Sequence, residues 1–180
     1  MPTSAGLSRL NRAQKSALDP HALLVITPYI QGDLPALILA VKNVTTVDPS
    51  RTFWDKVVIL HGLRRWWEHR RELKGGGQRV SRHYYDVYQL LQSDTGTRAV
   101  DDRAMAADCV RHALMFFNRP HFDLGSAVPG SFSLTPQDEM LTDLRRDYDA
   151  MAGMIFGPIP QMDSVVAAIT ELEQRLNRVE

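Results

Sequence analysis

The chain has 180 residues, of which 44% are hydrophobic and 23% charged, with Lys plus Arg and Asp plus Glu both at 21. This composition and size suit a globular domain with a core of its own, and the balanced charge excludes a whole-molecule field that would draw nucleic acid. The single cysteine, Cys109, excludes an internal disulfide framework. Together with the lack of any apolar run of about 18 residues or of a signal-peptide core, it implies a cytoplasmic protein that does not span a membrane.

In chain order, residues 1–20 (MPTSAGLSRLNRAQKSALDP) read as a flexible lead-in, and 21–180 as a single domain. ALLVITPYI (22–30) and ALILAVKNVTTVD (36–48) are rich in β-branched and aliphatic residues and flank the turn signal Gln31-Gly32-Asp33, so they read as the two strands of a hairpin. Asp48-Pro49 then supplies an N-cap and a proline at the first helical position, with Phe53, Val57 and Leu60 as an apolar stripe up to Arg70. Gly75-Gly76-Gly77 ends that segment, and Ser81–Leu91 reads as a second helix. Asp102–Phe117 is a third, with Met105, Cys109, Val110, Phe116 and Phe117 at helical spacing; Asn118-Arg119-Pro120 stops it. Residues 119–134 read as an ordered loop packed down by Phe122, Leu124 and Phe132. Thr135-Pro136-Gln137-Asp138 resembles a capping box opening a fourth helix along Leu141, Leu144, Tyr148, Met151 and Ile155. Gly157-Pro158-Ile159-Pro160 breaks the chain, and Asp163 caps a last helix with Val165, Ile169, Leu172 and Leu176 on one face. The expected class is α+β: a short N-terminal β-hairpin followed by a mainly helical bundle of about five helices.

Three groups of residues could carry chemistry. Lys56 has Thr52, Phe53, Ile59 and Leu60 as its helical neighbours, so it sits on the apolar stripe. It either covers the core with its stem and snorkels, or grips phosphate from a low-polarity cleft. Arg82 and Asp86 lie four apart on one helical face, which suits an intrahelical ion pair. Alternatively Arg82 contacts phosphate and Asp86 anchors Lys56, positions an acceptor hydroxyl or acts as base. Residues 64–82 hold Arg64, Arg65, Arg70, Arg71, Lys74, Arg79 and Arg82 against only Glu68 and Glu72, interleaved with Trp66 and Trp67. Such a stretch is either a solvated face or a nucleic-acid surface, with the tyrosines of Ser81–Tyr88, Tyr85 among them, available to stack. Gly75-Gly76-Gly77 lacks the Lys-Ser/Thr and the preceding strand of a phosphate loop. His61, His69 and His83 fall in no metal-ligand spacing, so no metal ligands are identified. No Ser-His-Asp arrangement is apparent, and Cys109 reads as a small core residue.

Arg51-Thr52-Phe53-Trp54-Asp55-Lys56 is followed by Ile59-Leu60-His61 and then by Ser81-Arg82-His83-Tyr84-Tyr85-Asp86. This series resembles the latter half of the AbiEii/AbiGii nucleotidyltransferase toxin family, within the polymerase-β-like nucleotidyltransferases. So do Phe116-Phe117, Pro129-Gly130-Ser131, Arg146-Asp147-Tyr148 and Phe156-Gly157-Pro158. The resemblance covers about residues 22–180. It implies transfer of a nucleotide from a nucleoside triphosphate (NTP) with Mg²⁺ to an acceptor such as tRNA, in a protein encoded beside an antitoxin. It makes Lys56 the nucleotide-contacting lysine and Asp86 the acidic residue of the last motif; Arg82 and Arg51 are further candidate phosphate contacts. From the basic stretch and the tyrosine helix, Arg64, Arg65, Arg70, Arg71 and Tyr85 are the candidate nucleic-acid contacts. Many relatives carry Arg-Asp where this chain has Arg82-His83. The family's first motif, a Gly-Ser turn before paired aspartates that bind two Mg²⁺, is not found: Gly125-Ser126 is followed by no acidic pair, and Gly130-Ser131 by Phe132. The chain is therefore expected to be the C-terminal portion of such an enzyme. Alone it would be inactive or dependent on a separate chain with the metal-binding half, or it would be a non-catalytic module that binds RNA or antitoxin. An unrelated helical interaction protein with a Lys56–Asp86 ion pair is the third reading. The truncated reading also expects an exposed apolar patch and an open hairpin edge.

Overall fold

The computed structural model describes residues 19–155 and 157–178. The lead-in up to residue 18, and Phe156 of the Phe-Gly-x-x-Pro break, lie outside the described residues. The architecture is α+β: strands β1 (His21–Ile26) and β2 (Val41–Val47) form an antiparallel hairpin, and six helices follow. The strands are shorter than their apolar runs. Residues 27–40 fold instead into a compact connection with a 3-10 turn at Tyr29–Gly32. Gln31 clasps this loop, its amide donating to the carbonyls of Leu34 and Leu37 and accepting the N–H of Leu39 at 2.7 Å. The pairing slips between Leu24 and Ile26, opposite Asn43, whose φ of 57° is one that asparagine tolerates.

Helix α1 (Pro49–Arg70) is capped by Asp48, whose carboxylate accepts the Ser50 N–H at 2.8 Å. It ends at Arg71, which turns left-handed at φ 53°. Helices α2 (Ser81–Leu91), α3 (Asp94–Ala99) and α4 (Arg103–Phe116) pack around it. Phe53, Trp54, Val57, Leu60, Leu63 and Trp67 of α1 are therefore buried on several sides rather than along one stripe. Helices α5 (Asp138–Met151) and α6 (Met162–Asn177) close the core over α2. Tyr84, Val87, Cys109, Met140, Leu144, Ile169 and Leu176 meet in that single core. Burial pushes the Cys109 thiol up to about 12, so it stays neutral and unreactive.

Helix α3 is the sixth helix and has no counterpart in the sequence reading, because Ser93-Asp94-Thr95-Gly96-Thr97 carries loop chemistry. The Ser93 hydroxyl accepts the Gly96 N–H at 3.1 Å, and a Cβ on Gly96 would stand 1.9 Å from the Leu90 carbonyl oxygen. Only glycine fits that approach. Trp54 ties α3 to α1 by donating to Ala99 O at 2.8 Å. The expected capping box at Thr135–Asp138 does not form. Glu173 takes the N–H groups of Leu134 and Thr135 at 2.5 and 2.7 Å, and α5 starts at Asp138. Likewise Asp163 lies in the first turn of α6, where it pairs with Arg145 at 2.6 Å instead of capping.

The loop between α4 and α5 is held by side chains of the body. Asn177 bonds both backbone groups of Phe132 at 2.8 Å. His61, fully buried, accepts the Ser133 N–H on Nδ1 at 3.1 Å and so carries its proton on Nε2, facing Asp123 O and the Ser126 hydroxyl. Burial pulls its pKa down. The hairpin contrasts with all of this. Every residue of β1 is exposed, Leu23 to 63%, Leu24 to 45% and Val25 to 59%, so both faces of the strand are open. No helix among the described residues is long and apolar enough to cross a membrane.

Candidate functional site

Lys56 emerges from the middle of α1 at a point where the stripe meets solvent. Its ammonium donates to the Asp86 carboxylate at 2.6 Å and to Nδ1 of His83 at 3.4 Å. Both acceptors come from α2, three residues apart on one helical face. Two motifs thirty residues apart in sequence thus meet in one ion pair. The pair is neither fully buried nor fully open, with the lysine side chain 23% and the aspartate 36% exposed. The expected helix-internal Arg82–Asp86 pair does not form; Asp86 turns to Lys56.

Lys56 and His83 line an open cleft of about 660 Å³ between α1, the C-terminal end of α4 and the loop beyond it. Its walls are of two kinds. Ile59, Phe117 and Phe122 give an apolar side, while Lys56, Lys74 and Arg119 bring three cations to its rim. Asp86 braces Lys56 from behind, in an adjoining depression that also holds Arg79, Arg82 and Tyr85. The arrangement suits a ligand with a flat apolar part and several negative charges. Lysine heads beside an apolar wall suit phosphate oxygens.

Other candidate residues have different tasks. Arg51 is buried, 3% exposed, and commits one nitrogen to Asp108 at 2.6 Å and to the Asp19 carbonyl at 2.9 Å. It fastens α4 and the base of the hairpin to α1. Arg64 donates to Thr135 O and to Gln137, both at 3.0 Å, and also ties the fold. Arg65 pairs with Glu68 at 3.0 Å. Arg70 lies over the Trp66 ring at 5.6 Å. Arg70, Arg71 and Arg82 are exposed. Arg71 borders a separate concavity beside Gly76, Gly77 and Arg79.

The sequence reading missed Lys74, Phe117, Arg119 and Phe122 as cleft residues, since each is brought in by tertiary packing. It also missed Asp147. That carboxylate accepts the N–H groups of Arg79 and Ser81 at 2.7 Å each, capping α2 from another helix and so fixing the turn that carries His83 and Asp86. The Arg146-Asp147-Tyr148 motif is thereby a clamp, completed by the Tyr148 hydroxyl donating to Pro160 O at 3.0 Å.

Among the described residues no three His, Cys, Asp or Glu side chains gather as metal ligands. Asp86 is engaged by Lys56, and Asp55, which itself lines the cleft, stands 3.9 Å from Arg51 with its carboxyl pKa raised by burial. Two carboxylates from different depressions, each already beside a cation, do not fit a Mg²⁺ pair.

A model of the family described as nucleotidyl transferase AbiEii toxin, Type IV TA system, matches residues 9–173. No curated protein and no solved structure matches the chain.

Proposed function

The chain belongs to the AbiEii nucleotidyl transferase toxin family, and from that premise we propose that it forms the phosphate-gripping wall of an enzyme that moves a nucleotide from an NTP to an acceptor such as tRNA. The observation that carries this reading is the Lys56–Asp86 contact at the edge of a cleft with an apolar side and a cationic rim. In such a transfer an acceptor oxygen forms a bond to the α-phosphorus while the bond to the leaving pyrophosphate breaks. Lys56, Lys74 and Arg119 of this chain hold the phosphates, and Phe117 and Phe122 offer the base an apolar wall.

Mg²⁺ chemistry is implied by the family, and the described residues do not fit it. We therefore place the metal carboxylates outside these residues, on a further part of a longer chain or on a separate chain, packed over the hairpin. The open apolar faces of β1 support this, because an isolated two-stranded hairpin needs a covering layer to be stable. The exposed cations Arg70, Arg71 and Arg82 support RNA as the acceptor. They support equally the alternative, a non-catalytic module that binds RNA or antitoxin. The reading places the protein in a cytoplasmic toxin–antitoxin pair acting in abortive infection.

The test is incubation with Mg²⁺, each radiolabelled NTP and total tRNA, beside Lys56→Ala and a calorimetric titration with the same nucleotides. The account expects nucleotide binding that Lys56→Ala abolishes, and no labelled RNA from the chain alone. Label that vanishes in Lys56→Ala keeps the transfer reading and overturns dependence on a partner. Absent nucleotide binding, with salt-dependent RNA binding intact, selects the non-catalytic module.

A further inference from the structure

The position where many relatives have another residue holds His83, and its geometry gives it a task. An ammonium has three N–H donors and no acceptor. At Lys56 one donor goes to Asp86 and one to His83 Nδ1; the third has no acceptor among the described residues, and both Lys56 and His83 line the cleft. Because the lysine can only donate, Nδ1 of His83 must be the unprotonated nitrogen, which puts the ring proton on Nε2. We infer that His83 is a positioning residue, a neutral second support that, with Asp86, orients Lys56 so that its remaining N–H faces an incoming phosphate. This inference rests on the proposed triphosphate site.

Neutrality sets this chain apart from relatives with aspartate at the position. The aspartate that many relatives carry here would offset part of the lysine charge, and a cation would push the ammonium away, whereas the imidazole supports the ammonium and adds no charge. The surroundings keep the ring neutral. Burial is the main cause, followed by Lys56 from α1 and Arg82 from its own helix; Lys74 from the glycine turn adds to them and Asp86 opposes, with a net pKa of about 4. The ring thus supports Lys56 without altering the charge a triphosphate meets.

Two measurements on the intact chain test it. The first needs no ligand: long-range proton–nitrogen NMR of the histidines at pH 7 should show His83 as the Nε2–H tautomer, with a hydrogen-bonded Nδ1 whose signal moves in Lys56→Met. An Nδ1–H tautomer, a charged ring, or a signal indifferent to Lys56→Met overturns the inference. The second is binding of inorganic tripolyphosphate. His83→Leu removes the acceptor and should weaken binding roughly tenfold, the scale of one hydrogen bond to a charged group. His83→Asn, whose side-chain oxygen reaches the place of Nδ1, should restore it to within about threefold. Equal binding by His83→Leu and the unaltered protein overturns the positioning role alone. Absence of binding by the unaltered protein overturns the triphosphate site itself, and this role with it.

Discussion

The hairpin and helix α1 are built from similar apolar residues and have opposite fates. Leu23, Leu24, Val25 and Ile26 are all more than 40% exposed, while Phe53, Trp54, Val57 and Leu60 are fully buried. Hydrophobicity alone does not decide burial; a covering layer does. Around α1 that layer is supplied by α2, α3 and α4, whereas over β1 the described residues supply none. The proposed function follows the same division: the candidate site stands where α1 is incompletely covered, at Lys56, and the proposal makes the hairpin the surface offered to a partner.

Matched substitutions sharpen this comparison. Trp54→Ala removes the largest fully buried side chain and its bond to Ala99, and should cost about 4 kcal/mol in denaturant unfolding. A loss below about 1 kcal/mol would mean that α1 is not the centre of the core. Gly96→Ala forces a Cβ against the Leu90 carbonyl and should destabilise the body by about 3 kcal/mol. An unchanged thermal midpoint would contradict the close approach of α3. Two depressed histidines make the body acid-sensitive. His61 and His83, the latter at about 4, bind protons less readily when folded than the ordinary value of 6.5. As pH falls from 6.5 toward 4 the unfolded chain takes up protons that the native rings refuse, so stability is whole above that window and declines through it. Thermal unfolding across this range should show the decline, and His83→Asn should make it shallower; a flat profile would argue against buried, neutral rings. Lys56→Met should alter stability by less than about 1 kcal/mol, as expected of a part-exposed ion pair, while tripolyphosphate binding is lost. At the small end, Leu23→Ser should change unfolding by less than about 0.5 kcal/mol. A large loss there would mean that the hairpin is covered in solution.

Periodicity made the long elements legible. The Asp48-Pro49 cap and the apolar face of α6 carry strong local signals, and the structure keeps them, while the stripe of α1 widens to burial on several sides. Local signals also misled. Thr135-Pro136-Gln137-Asp138 has the residues of a capping box, yet Glu173 from α6 takes the Thr135 N–H first. Ser93–Thr97 has the residues of a loop, yet it forms α3, because Gly96 can press against Leu90. At the site, Lys56 stood out for its place on the stripe, and Asp86 for its place on the Arg82 face, with anchoring of Lys56 among its readings. Arg51 and Arg64 looked like phosphate or nucleic-acid contacts because charge can be read from sequence, but burial cannot. Phe117, Arg119 and Phe122 belong to the cleft only because the α4 terminus and its loop fold back over α1. Asp147 reaches α2 from sixty-six residues away, and no local pattern announces it.

The most direct test of the central claim is photolabelling with an azido-purine nucleoside triphosphate, followed by mass-spectrometric mapping of the modified peptide. Attachment to the segments holding Phe117 and Phe122, lost in Lys56→Met, is the result this account predicts. Attachment beside Gly76 and Arg79, or labelling indifferent to Lys56, would contradict it.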